Sequence, residues 1–347
     1  QGMQQNAPIT NDPPNFSPKN SQRPERSEMA SNASQLKIHR FHSAIEAAEL
    51  FLSLGFLWEI VQLSAGPLNG VLKIRRSNEM ICLSVRCDRS MLFHGGRNCA
   101  YVPFCLEMNH AFQHRVRGEP LIPCGLYGFH LNLSDVFFQT EAGAHFSIIL
   151  IPRTRIQQLG ALDPAGTLMD SISISNNVQL SQAMFQTWIQ LVDNLLNEPA
   201  SGGIDTDQWN ALLLESFEPP GLDELSPLRS MTYRCGIVRD VVRWGIENNR
   251  QPISLDDLGR TIFASRSTIS QSCREQVGIG PMALLKQIRL QQVQHALRHR
   301  DQRRVLACNT VQEVAHHFGF HSRNHFARDY RNLFGEAPRQ TLARSAA

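Results

Sequence analysis

Residues 254–277 read SLDDLGRTIFASRSTISQSCREQV, and residues 310–334 read TVQEVAHHFGFHSRNHFARDYRNLF. Each stretch is a helical pattern, a turn and a second helical pattern. The first puts Leu258, Ile269, Cys273 and Val277 inward, and the second answers with Val314, Phe326, Tyr330 and Phe334. Adding 57 to positions 269, 273 and 277 gives 326, 330 and 334, so the apolar faces of the two second helices superimpose without a gap. This is one helix-turn-helix pattern met twice. Two such second helices on one rigid body suit two successive major grooves on one side of a duplex.

The residues around these stretches sharpen the expectation. Ser254 is a helix cap, and the acids of Asp256-Asp257 fall in the first turn, where the macrodipole favours them. A second cap at Ser265 leaves Arg266, Ser267, Thr268, Ser270 and Gln271 on the exposed amino-terminal half of the following helix. Gly278-Ile279-Gly280-Pro281 closes that helix and opens a connecting one through Leu285, Ile288, Leu290, Val293 and Leu297. Thr310 caps the next helix, Gly319 supplies the turn, and the helix from Ser322 exposes Arg323, Asn324, His325 and Arg328, with His321 just ahead of it. Short hydroxyls and forked donors suit base edges and phosphates. The expected reading set is therefore Ser265, Arg266, Ser267, Thr268, Ser270 and Gln271 in one groove and His321, Ser322, Arg323, Asn324 and Arg328 in the next, with the caps Ser265 and Ser322 turning backbone amides toward phosphates. The basic stretch Arg298 to Arg304 reads as a lengthened loop, either a solvated surface or a phosphate contact.

Charge is distributed to match. Residues 251–347 hold 14 Lys and Arg against 7 Asp and Glu, while the other 250 residues hold 20 against 24. A basic end joined to a mildly acidic body is what a polyanion-binding domain with a partner domain would carry.

The spacing Val314-Ala315, Gly319-Phe320, Phe326, Arg328, Tyr330, Phe334-Gly335 and Pro338 resembles the AraC-type transcriptional regulators, over roughly residues 229–347. A closer likeness, to the ethanolamine-operon regulator branch, lies in Gly278-Ile279-Gly280-Pro281, Ile288-Arg289-Leu290, Phe326-Ala327, Asp329-Tyr330, Leu333-Phe334 and Thr341-Leu342. The resemblance implies a sequence-specific regulator, more often an activator, in which an effector or dimer geometry alters how the carboxyl-terminal domain engages promoter DNA and RNA polymerase. Departures fall mainly in the first unit: Cys273 for the usual Phe, Gln271 where Arg is frequent, and Gly259 for a helix-favouring Ala, a change worth about 1 kcal/mol of helix stability. In the second, Asn324 stands where Ser is common.

Ahead of this domain, residues 1–35 are rich in Asn, Gln, Ser and Pro and read as a disordered tail; Gln1-Gly2 has the look of an expression scar, and Met29 of an alternative start. A short helical pattern through Ile45, Ala48 and Leu52 leads into strand-like runs at residues 58–64, 70–75, 80–86, 99–106, 125–131 and 146–151. Turns are expected at Ala65-Gly66-Pro67, Ser77-Asn78, Gly95-Gly96 and Ala142-Gly143. The reading is an α+β chain: a small β-barrel of cupin or jelly-roll type over 36–155 that regulates, a helical dimerisation and linker segment over 156–226, and the double helix-turn-helix domain over 227–347. The helix through Leu180, Met184, Trp188, Leu191 and Leu195 is apolar on more than one side, which fits packing under the barrel or contact with a second copy in a homodimer. A short helix around Trp209–Phe217 sits between Ser201-Gly202-Gly203 and Pro219-Pro220-Gly221, and Val238, Val241, Val242 and Ile246 mark the helix that opens the last domain.

Other chemistry has little to stand on. The pairs His110/His114 and His321/His325 are each four apart but lack a His-Glu-x-x-His arrangement, and the five cysteines between 82 and 124 read as buried apolar residues before they read as ligands or sensors. No nucleophile elbow, phosphate loop or dinucleotide fingerprint occurs, so neither an enzyme nor a cofactor is expected. The barrel is expected to serve as a pocket for a small-molecule effector. A cupin-like metalloprotein lacks its His-x-His with a nearby Glu; a sensor working only through protein contacts is the other competing reading. Eight cysteines with no Cys-x-x-Cys, and no apolar run of eighteen residues, lead to the expectation of a cytoplasmic protein without a membrane span.

Overall fold

The computed structural model describes residues 36–77, 80–109, 114–197, 206–218, 228, 231–248, 250 and 253–345. The expected disordered tail, Asn78, His110 and the two Gly- and Pro-rich brackets at 201–203 and 219–221 lie outside the described residues.

In chain order the first part runs β1 (Lys37–Phe41), α1 (Ala44–Leu52), β2 (Trp58–Gln62), β3 (Gly70–Arg76), β4 (Ile81–Cys87), β5 (Met91–Gly96) and β6 (Tyr101–Glu107). It continues with β7 (Arg115–Val116), β8 (Glu119–Pro120), β9 (Gly125–Tyr127), β10 (Asp135–Thr140), β11 (Ala144–Pro152), α2 (Arg153–Leu162), α3 (Thr167–Ile174), β12 (Asn177–Gln179), α4 (Gln182–Asn197) and α5 (Thr206–Glu215). The strands form two antiparallel sheets, one ordered β1-β3-β4-β11-β6-β9-β12 and the other β2-β5-β10-β7-β8. Among the described residues no ladder joins the two sheets. They pack face to face, with Leu72, Leu83, Val85 and Phe146 of the larger sheet in one core with Ile60, Met91 and Phe93 of the smaller.

The larger sheet is buried on its other face too, which explains the alternation in β6. Val102, Phe104 and Leu106 join a core with the helices α2 to α5, whereas Tyr101, Pro103 and Cys105 look into the space between the sheets. In α4 the residues Phe185, Trp188, Val192, Leu195 and Leu196 are buried in that helical core, and Trp188 donates from Nε1 to Ser216 Oγ at 3.0 Å. Gln186, Gln190 and Asn194 are left exposed. The broad apolar stripe is thus occupied within the chain, and the outer face of α4 is polar.

The structure corrects the sequence reading at Gly95-Gly96. These residues end a strand, β5, and Gly95 pairs with both Trp58 and Val136. A Cβ on Gly95 would lie 2.2 Å from the carbonyl oxygen of Leu57, so the glycine serves a close approach of backbones within a sheet. Strands β1, β5 and β10 and helices α2 and α3 are elements that the sequence pattern left out.

The last part consists of α6 (Tyr233–Glu247), α7 (Leu255–Thr261), α8 (Arg266–Val277), α9 (Pro281–Arg298), α10 (Arg300–Val305), α11 (Val311–His317), α12 (Arg323–Phe334) and α13 (Pro338–Arg344). Leu258, Ile269, Cys273 and Val277 share one core with α6 and the first half of α9, and Val314, Phe326, Tyr330 and Phe334 share another with the second half of α9. The expected loop at 298–304 is instead largely helical, and its Arg303 is buried, donating to the carbonyls of Ala296 and Leu297 at the end of α9.

The repeat is close but not uniform. Helices α8 and α12 have 12 residues each, and both end on a left-handed glycine, Gly278 at φ 74° and Gly335 at φ 71°. Helices α7 and α11 are offset by 56 positions, not 57, so the turn of the first unit is one residue shorter. Two consequences are visible in that turn. Phe263 takes the left-handed conformation, φ 55°, that Gly319 takes in the second unit, and its side chain is 93% exposed. Gly259 lies so close beneath the turn that a Cβ would meet the Ala264 carbonyl oxygen at 2.7 Å, whereas the corresponding residue of the second unit is Ala315. Glycine at 259 therefore permits the tight turn and is not simply a weak helix former. In Gly259→Ala the clash, about 1–3 kcal/mol, should outweigh the helix-propensity gain of about 1 kcal/mol. Urea unfolding should show a lower midpoint for the variant; a higher one would refute the close-approach account.

Candidate nucleic-acid interface

Helix α8 begins as the sequence suggested. Ser265 Oγ accepts from the Thr268 amide at 3.1 Å and lies 2.7 Å from Thr268 Oγ1 and 2.9 Å from Ser267 Oγ. Its oxygen is therefore already engaged in closing the helix. Arg266, Ser267 and Gln271 are exposed beyond it, with Thr268 and Ser270 half-buried. These groups have local partners: Arg266 makes a forked ion pair with Asp256 of α7, and Gln271 donates to Glu275 Oε1 at 2.8 Å. Glu275 is also paired with Arg234 of α6.

The second face is more open. His321, Ser322, Arg323, Asn324, His325 and Arg328 are all exposed, while Phe326 behind them is buried. Ser322 makes no side-chain cap bond, unlike Ser265. The His321 ring packs on His316 at 4.9 Å between centroids. Beneath this face the frame is firm. Thr310 and Glu313 form a reciprocal capping box, the Arg289 guanidinium lies 5.4 Å from the centre of the Phe320 ring, and Tyr330 Oη lies 2.8 Å from Thr341 Oγ1. Lys286 Nζ holds Asp329 at 3.0 Å, which draws that carboxylate toward α9, although Arg328 Nε is 3.8 Å from its other oxygen.

Other groups weighed in the sequence have structural roles. His114 is buried, its Nε2 2.7 Å from Glu107 and its Nδ1 accepting from the Glu141 amide at 3.0 Å. Burial pushes the thiols of Cys82, Cys87, Cys105, Cys235 and Cys273 up to about 12, so they stay protonated and unreactive near neutral pH. Among the described residues one group has ligand atoms spaced to hold a metal ion: Glu49, His295 and His299. Sequence reasoning missed it. The two histidines are four apart at the end of α9, but the carboxylate comes from α1, near the other end of the chain.

Between the sheets lies a cavity of about 100 Å³, walled by Trp58, Tyr101, Tyr127, Phe138, Phe146 and Ile148 among others. Arg97 reaches its edge with its guanidinium donating to the carbonyls of Gly128 and His130 at 2.6 and 3.0 Å.

The second half of the chain thus has the frame of a double helix-turn-helix DNA-binding domain, with two equivalent helices whose amino-terminal faces are polar and uncovered. Residues 258–344 match the helix-turn-helix domain family. The chain is 34% identical to a probable AraC family transcriptional regulator from Rhodopseudomonas palustris CGA009, covering 32% of this chain and 97% of that one, with a TM-score of 0.29. The match to the helix-turn-helix family covers the carboxyl-terminal part of the chain, and AraC-type regulators are among the proteins to which that part is similar. It is also 26% identical over 102 residues to the HTH-type transcriptional activator RhaS of Klebsiella pneumoniae, and 24% identical over 207 residues to the Probable thc operon regulatory protein of Rhodococcus erythropolis. These matches cover 29% and 55% of this chain, and the chain spans 34% and 59% of the length of those relatives. No helix among the described residues is long and apolar enough to cross a membrane.

The Arg266–Asp256 pair has a measurable consequence. Freeing Arg266 and removing a negative charge beside α8 in Asp256→Asn should tighten duplex binding by about 0.5–1 kcal/mol, the worth of one exposed ion pair. Fluorescence anisotropy at fixed salt would measure it, and unchanged or weaker binding would show that Asp256 positions Arg266 for DNA.

Proposed function

We propose that the protein is a sequence-specific transcription regulator that binds promoter DNA through both helix-turn-helix units and is controlled through its amino-terminal domain. The observation that carries this is the pairing of two equivalent helices, α8 and α12, whose predicted reading residues are all exposed or half-buried while the amino-terminal domain packs elsewhere. Arg323, Asn324 and Arg328 are the principal base and phosphate contacts of the second unit; Arg266, Thr268, Ser270 and Gln271 are those of the first. Activation through contact with RNA polymerase, and binding as a homodimer in the cytoplasm, follow the family pattern and belong to the same proposal.

The cavity between the sheets is the site proposed for an effector. Its wall is mostly aromatic and aliphatic, with few polar groups at the edge. Such a wall suits an apolar molecule with one polar end better than a small hydrophilic cation. The likeness to the ethanolamine-operon branch lies in the DNA-binding half, so it bears on the operator more than on the effector. A metalloprotein of cupin type gains no support here, because the one metal-spaced group among the described residues lies outside this cavity.

Two measurements test the reading. Arg323→Ala should cost about 1–3 kcal/mol and relax sequence preference at a few adjacent base pairs, as a bidentate base contact requires; an equal loss on every sequence would make it a phosphate contact. Log affinity of the wild-type protein should fall steeply and linearly with log salt, and a flat dependence would refute the electrostatic basis of binding.

A further inference from the structure

Helix α1 of the amino-terminal domain lies against the carboxyl-terminal end of α9, the helix that joins the two helix-turn-helix units. Glu46 of α1 pairs with Arg298, and Arg298 also reaches the His42 carbonyl at 3.5 Å. One turn away along α1, Glu49 Oε1 faces two imidazoles at once: His295 Nδ1 at 3.9 Å and His299 Nε2 at 3.8 Å. The rings of His295 and His299 are 4.4 Å apart between centroids, because His299 is the residue that caps α9 and its ring falls back along the helix. Neither carboxylate separation is a hydrogen bond. His295 Nδ1 is buried and has no hydrogen-bond partner among the described residues. A buried ring nitrogen left unsatisfied, and aimed with a second imidazole at one carboxylate, is costly unless something sits between them.

We propose that Glu49, His295 and His299 form a site for a divalent transition-metal ion of the zinc class, which fastens the amino-terminal domain to the linker helix. Two imidazoles and one carboxylate are a donor set for such an ion, with a water completing a tetrahedron. The three ligand atoms lie within 4.8 Å of one another. Bound zinc would hold them about 3.4 Å apart, a contraction of about an ångström that the exposed Glu49 stem and rotation of the His299 ring can supply. The ion would also lie at the carbonyl end of an 18-residue helix, the end that favours positive charge. Arg298, on the last turn of α9, is paired with Glu46.

The site is built from both domains, and this gives it a use. An ion held by α1 and α9 together opposes their separation, so metal occupancy would set how tightly the regulatory half is docked. That consequence rests on the regulator reading, but the site itself does not, and it can be measured on the protein alone. Zinc should be titrated into the full chain, purified without metal, in competition with a chromophoric chelator. The expected result is one zinc per chain, with a melting temperature that rises on zinc addition. Binding should weaken at least about tenfold in Glu49→Gln and in His299→Ala, and the zinc-dependent rise should vanish in both. Glu49 is exposed, so Glu49→Gln keeps the fold and remains informative if His299→Ala does not. No zinc uptake at micromolar metal, or uptake of equal affinity in Glu49→Gln, would overturn the proposal; the latter would put the ion on the chain's other histidines or cysteines.

Discussion

Strand β2 lies at the edge of its sheet, so its outward peptide groups need partners, and the linker helix α9 supplies them from glutamine side chains. Gln291 accepts from the Gln62 amide at 2.9 Å and donates to the Gln62 carbonyl at 3.3 Å, acting as a one-residue strand. Gln287 donates to the Leu63 carbonyl at 3.2 Å. The Gln62 side chain in turn donates to the carbonyls of Ser64, Gly66 and Leu333, and the Gly66 amide donates to Leu333 at 3.0 Å. An edge that would otherwise invite another strand is closed by the DNA-binding domain. Gln291 is buried in α9 for this reason, and an apolar residue there would leave the Gln62 peptide groups unsatisfied.

The same helix is buried on its other sides. Leu284, Leu285 and Ile288 belong to the core of the first helix-turn-helix unit, and Leu290, Val293, Ala296 and Leu297 to the core of the second. The first of these cores also takes in Val61, Leu63, Leu92 and Phe137 of the amino-terminal sheets. Apolar contact and peptide hydrogen bonding therefore act at one interface, and burial there is dehydrating enough to strengthen each bond across it. The first unit is held mainly by apolar side chains. The second is held at the end of α12, through Leu333 and the close approach of Gly335 to Pro67.

How much of this the sequence carried depends on how local each cause is. The faces of α8 and α12 were legible because a 3.6-residue period, two left-handed glycines and two helix-opening prolines, Pro281 and Pro338, all lie within short stretches. Gly95 was misread because its cause is the carbonyl of Leu57 on a neighbouring strand, which no local pattern announces. Gly259 was read as a loss of helix stability for the same reason, since the Ala264 carbonyl above it depends on the length of the turn. The exposure of the proposed reading residues was legible as a polar helix face, but the Asp256 that holds Arg266 and the Glu49 that faces two histidines come from other elements. Periodicity marks which side chains face inward; it does not say which acid will meet a base.

These causes also change the comparison between the two units. On composition alone the first unit looks weaker, with Gly259, Gln271 and Cys273. In the structure Gly259 fits its tight turn and Cys273 is fully buried in the core, while the strain sits at Phe263, a residue with a Cβ in a left-handed conformation. Its Arg266 is also tied to Asp256, whereas Arg323 of the second unit has no ion pair among those of the described residues. The asymmetry is therefore one of readiness, not of fold. The second unit presents its donors open on an aromatic frame, and in the first Arg266 and Gln271 are engaged with Asp256 and Glu275. Because both units share α9, and α9 covers the edge of β2, a shift of β2 toward or away from the cavity wall it shares through Trp58 would be felt by α8 and α12 together.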